Sequence, residues 1–191
     1  MSVIVKVVQD MDPMSPLEWD NFGVMACWHR RYNLGHVQPK ESPEEWLKEN
    51  APEGSIVLPL YLYDHSGISI STGAFSCPWD SGQVGYIVAT PAKIREAFMV
   101  KRISKKTREK AEALLKAEVS TYDDYLTGNV WGYTIEKTHA CGECGSKVHE
   151  EEEEDSCWGF VGSDKSTLEA MKGHVPEHLH AQLEEAWHNR G

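Results

Sequence analysis

Two short stretches bring together the side chain types of a nucleophile, a base and an orienting acid. They are Asp64-His65-Ser66-Gly67 and Ser76-Cys77-Pro78-Trp79-Asp80-Ser81-Gly82. In a Cys/His hydrolase, Cys77 would attack, His65 would take its proton and Asp80 would orient the imidazole. The same turns could instead hold a nucleotide-like small molecule. Asp64, His65, Trp79, Asp80 and Gln83 would supply polar and stacking contacts, and Arg102 or Lys105 would meet a phosphate. Distance decides between these roles. If Ile68 to Phe75 is one flat strand, the two turns lie at opposite ends of it, roughly 25 Å apart. Cys77 and His65 then form no nucleophile–base pair unless the strand is strongly bent or broken, for example at Gly73, which weakens the hydrolase reading. Asp64 and Asp80 would make Asx-type turns, Gly67 and Gly82 would supply positive φ, and Cys77 would pack as a small hydrophobe.

A second chemistry lies between Lys137 and His149. Cys141-Gly142-Glu143-Cys144 is a C-x2-C turn, and zinc needs two further ligands for a tetrahedral site. His139 and His149 flank the pair, so the expected set is His139, Cys141, Cys144 and His149. Cys157 is the alternative ligand. In a hairpin centred on Ser146 and Lys147 it would pair near Glu136, roughly 15 Å from the tip and too far to ligate. Four filled positions imply a structural zinc clip rather than catalysis. The same tip without metal is an exposed, reduced hairpin.

Cys27-Trp28-His29-Arg30-Arg31-Tyr32 could grip an anion or a base with cations and rings. Lys101 to Lys110 places cations at the start of a helix, against its dipole, which suits an acidic or phosphate-bearing partner. As solvated surface, both stretches would do nothing more. Seven tryptophans are too many to be all core. Trp79, in a Pro/Asp/Ser/Gly turn, is the one expected to stand exposed as an interface anchor.

Several elements must position these groups. Val3 to Val8 reads as a strand and Leu17 to Trp28 as a helix weakened at Gly23. Ser42-Pro43-Glu44-Glu45 is a helix start, with Ser as cap, Pro in the first position and acids in the first turn. Ser55 to Tyr63, Ile68 to Phe75 and Gln83 to Ala89 read as an antiparallel meander. Thr90-Pro91 opens another helix. Ala111, Leu114, Leu115, Glu118, Tyr122, Tyr125 and Leu126 follow the helical period, with Glu118 the polar interruption and Gly128 the C-terminal stop. Trp131 to Lys137 and Ser156 to Val161 make a hairpin whose specialised tip spans 138–155. A helical extension spans 164–191. The expected fold is α+β: a small, mostly antiparallel sheet of meander plus hairpin, packed with helices in one domain, 1–191.

Composition bounds the setting. An apolar fraction of 40% over 191 residues supports a full core. No run approaches the ~18 apolar residues of a membrane span, and the N-terminus lacks signal-peptide features, so a cytoplasmic protein is expected. The five cysteines are an odd number, which suits a reducing compartment. A net charge of −11 repels nucleic acid and attracts basic partners.

Tyr61 to Gly67, Phe75 to Gly85, Lys101 to Ser104, Tyr125 to Gly128 and Asp155-Ser156-Cys157-Trp158-Gly159-Phe160 resemble a family of small bacteriophage and mobile-element proteins. Trp19 to Gly23 fits the same pattern. No residue role comes with the resemblance. It implies a phage accessory protein at work in the host cell cytoplasm. The expected function is binding, with inhibition of a basic host nuclease or defence protein through an acidic, aromatic surface.

Overall fold

The computed structural model describes residues 2–140 and 147–190, with side chains described at 3–137 and 154–190. The strands are β1 (Ser2–Gln9), β2 (Val24–Cys27), β3 (Ile56–Asp64), β4 (Ile68–Ser71), β5 (Ser81–Ala89), β6 (Val130–Ala140) and β7 (Lys147–Val161). The helices are α1 (Pro43–Asn50), α2 (Pro91–Ala97), α3 (Lys105–Leu126), α4 (Lys165–Lys172) and α5 (His180–His188). The class is α+β, as the sequence predicts, with two antiparallel sheets. The chain divides into two compact units where a single domain was expected: residues 15–127, and residues 1–14 with 128–191.

In the unit of residues 15–127, the sheet order is β2-β5-β3-β4. This is not the predicted meander. β5 pairs with β3, and β4 is a four-residue edge strand that ends at Ser71 rather than running on to Phe75. The expected helix over Leu17 to Trp28 is replaced by a 3-10 turn at Pro16–Glu18 and by strand β2. Long-range contacts explain the change. The backbone N–H groups of Phe22 and Gly23 donate to the Glu118 carboxylate at 2.5 and 2.8 Å, and those donors would otherwise be buried without a partner. Gly23 also lies so close to α3 and β5 that a Cβ there would stand 2.4 Å from Leu115 and 2.8 Å from Ile87. Gly85 serves the β2–β5 pairing similarly: a Cβ would stand 2.0 Å from the Ala26 carbonyl oxygen.

Helix α3 closes the core. Ala111, Leu115, Val119 and Tyr122 are buried along one face against Leu60, Ile87 and Ile94. Each large apolar side chain removed from water contributes about 1.5–3 kcal/mol. Asp123 ties the same helix to the edge strand by accepting from the Ser69 hydroxyl at 2.8 Å and the Ile70 N–H at 2.7 Å. The local signals hold. Ser42 and Glu45 form a reciprocal capping box on α1. Gly128 follows α3 at φ 78°.

In the other unit the order is β1-β6-β7. Leu168, Met171, Leu179, Leu183 and Trp187 pack with Val5, Trp131, Tyr133 and Ile135 in one core. The C-terminal helices are therefore the second layer of this unit, not an extension to it. Bulges shift the β6–β7 register, so Cys157 pairs with Tyr133 rather than near Glu136. Among the described residues, no helix is long and apolar enough to cross a membrane.

Candidate functional site

The two turns that the sequence sets at opposite ends of a strand meet. β4 ends at Ser71, and the chain over 72–80 returns to the end of β3, where the Asp64 N–H donates to the Asp80 carbonyl at 2.8 Å. Asp80 Oδ2 then lies 3.2 Å from His65 Nδ1, and the Cys77 thiol donates to the same oxygen at 3.6 Å. The expected separation of roughly 25 Å is overturned, because the flat strand on which it rested does not exist. The turn chemistry differs as well. Ser66, at φ 59°, takes the left-handed position assigned to Gly67, and neither Gly67 nor Gly82 has positive φ. The Cys77 thiol has a polar partner instead of apolar packing, and its carbonyl accepts from the Ser81 hydroxyl at 2.5 Å.

The order of the three groups matters for chemistry. In a nucleophile–base–orienter set the imidazole stands between thiol and carboxylate. Here the carboxylate stands between thiol and imidazole, so His65 is not placed to take the proton of Cys77. His65 and Asp80 are also open to water, with 62% and 37% of their side chain surfaces exposed.

A cleft of about 360 Å³ opens beside this contact. Asp64 and Asp80 line it with Trp79, and so do His29 and Arg31. The last two come from the Cys27 to Tyr32 stretch, which the sequence offered as a separate anion grip. The structure joins the two candidates. Arg31 pairs with the Asp64 carboxylate, and the Tyr32 hydroxyl donates to the other Asp64 oxygen at 3.3 Å. His29 stacks on Tyr32 with ring centres 5.0 Å apart, and its Nδ1 accepts from the Arg31 and Tyr32 N–H groups. Trp79 stands on the lip with 92% of its surface exposed. Two carboxylates therefore face one guanidinium around an exposed indole.

Some predicted residues do not join the site. The Gln83 amide turns to the Gly85 carbonyl at 3.4 Å and does not line the cleft. Arg102 lies elsewhere. Its neighbours Ile103 and Ser104 share a cavity with Gly54, just ahead of β3, whereas the cleft stands at the end of that nine-residue strand. That is roughly 25 Å away, too far to meet a phosphate in the cleft. Cys27 is sealed in the core, and burial pushes its thiol up to about 12, so it is no nucleophile. His29 and Arg31 are the site residues the sequence did not connect to the turns. Their signal was a His and an Arg beside Tyr32.

The expected zinc ligands His139, Cys141, Cys144 and His149 have side chains outside the described residues. The alternative ligand Cys157 faces Tyr133 on the ladder, while Ala140 pairs with Lys147 at the far end. Some seven residues of strand, roughly 20 Å, separate it from the tip. Among the described residues, no group of three or more His, Cys, Asp and Glu is arranged to hold a metal. No protein-family model, curated protein or solved structure matches the chain.

Proposed function

We propose that the protein acts by binding a basic partner protein, and that the cleft of Asp64, Trp79 and Asp80 receives a cationic side chain of that partner. The observation that carries this reading is Trp79, a large indole left 92% exposed beside two carboxylates. An indole face attracts a guanidinium or ammonium group, and a carboxylate beside it adds a charge-assisted hydrogen bond. Large exposed aromatics are also the usual anchors of protein interfaces. The net charge of −11 steers basic partners toward the surface. The resemblance to bacteriophage proteins supplies the setting: a host nuclease or defence protein, held and inhibited in the host cytoplasm.

The test is affinity capture from bacterial lysate with the wild type, Trp79→Ala and Asp80→Asn. A basic protein retained by the wild type should be lost from both variants, with unfolding curves unchanged. Elution of the wild type alone would overturn the reading.

The His65–Asp80 contact favours a second reading: a small ring-bearing ligand in the cleft, stacked on Trp79 and hydrogen-bonded by Asp64 and Asp80. His65 stands outside the cleft lining and bears on such a ligand through Asp80, whose Oδ2 it meets. A nucleoside and nucleotide panel tests it by thermal shift. Stabilisation lost in His65→Ala supports it, and no stabilisation by any member removes it.

A further inference from the structure

Two cations of the Lys101 to Lys110 stretch, Lys105 and Arg108, line a different cavity. It has about 280 Å³ and is lined by Arg95 of α2, by Lys105 and Arg108 of α3, by the α3 cap Ser104, and by Glu53. Three cations thus face one carboxylate, in a chain whose net charge is −11.

The charges are poorly compensated from within. Among the described residues, neither Arg95 nor Arg108 forms an ion pair with a carboxylate. Lys105 has only Glu109, at 3.9 Å, and both side chains are largely in water, where such pairs contribute little. Lys105 and Arg108 also stand three residues apart on one helical face, a like-charge spacing that costs stability. Arg108 is nonetheless held in place. It donates to the carbonyls of Gly54 and Ser55 at 3.1 and 3.0 Å, which uses two of its five N–H groups and leaves the charge at the cavity wall. The start of α3 does not itself make the case, since Ser104 already caps it by accepting from Thr107 N–H. The case is an immobilised guanidinium, a second guanidinium and an ammonium around one hollow.

We infer that this cavity binds the phosphate or diphosphate group of a small molecule. A guanidinium matches phosphate oxygens with paired N–H donors, and a multiply charged anion relieves the repulsion among the three cations. The site is independent of the Trp79 cleft, and either can exist without the other.

Calorimetric titration of the full chain with pyrophosphate at low ionic strength tests the inference. Arg95→Gln and Lys105→Gln are the informative variants; Arg108 is left alone because it also braces Gly54 and Ser55. Lys40→Gln, outside the cavity, controls for the general loss of one positive charge. Saturable binding is expected, weakened about tenfold by each cavity variant and unchanged by Lys40→Gln or Trp79→Ala. Absence of saturation up to roughly 10 mM pyrophosphate overturns the site. So does an equal loss in Lys40→Gln, which would reduce the effect to diffuse charge.

Discussion

The carboxylate of Asp80 holds the imidazole of His65 at 3.2 Å, across the whole of β4 and the return loop that follows it. The same oxygen accepts from the Cys77 thiol. One exposed acid therefore gathers the two turns, and Trp79 beside it is left facing outward.

Asp80→Ala should separate anchoring from folding. Both partners are exposed, so the loss of this contact should cost less than about 1 kcal/mol in urea unfolding. The contact between turns should still loosen, and partner capture should fall about tenfold, as measured by affinity at fixed salt. A loss of several kcal/mol would mean that the carboxylate holds up the fold rather than the site.

Glu118 gives a pH signature. Burial raises its pKa above the ordinary carboxylate value, against the lowering effect of the Phe22 and Gly23 N–H groups. A raised folded pKa means that its contribution is fully present below the unfolded pKa of about 4.5 and is lost as pH rises through the folded value. Glu118→Ala leaves two backbone donors without their acceptor and should cost about 2–4 kcal/mol. That cost should be larger at pH 4 than at pH 7 in paired denaturant titrations. The opposite trend would contradict the role of burial.

Cys27 should resist alkylation in the native protein. With its thiol pushed up to about 12 by burial, only about one part in 10⁴ is thiolate at pH 8. Mass spectrometry of iodoacetamide-treated protein should find the Cys27 peptide unmodified until denaturant is added. Labelling of Cys27 at the rate of Cys77, without denaturant, would show that the β2–β5 core opens.

The C-x2-C motif carries the remaining proposal, a structural zinc ion. Purified protein should contain about one zinc per chain, and Cys141→Ser should lose it. Wild-type protein expressed with ample zinc and purified without chelator, yet free of metal, would end that reading.

What the sequence determined by itself is local. The Ser42 and Glu45 cap, the helical period of α3 and the Gly128 stop all act within about four residues, so their physics can be read along the chain. The exposure of Trp79 was legible in the same way, from the turn residues around it. Only the tertiary structure decided that Leu17 to Trp28 is no helix, because Glu118, far along the chain, captures the amides of Phe22 and Gly23. Only tertiary structure placed β5 against β3 and stopped β4 at Ser71, which brought Cys77 and Asp80 back to His65 and put His29 and Arg31 in the same cleft. Strand order and loop return depend on which buried surfaces fit and which backbone donors find acceptors. Those partners are distant in sequence and leave no periodic trace in it.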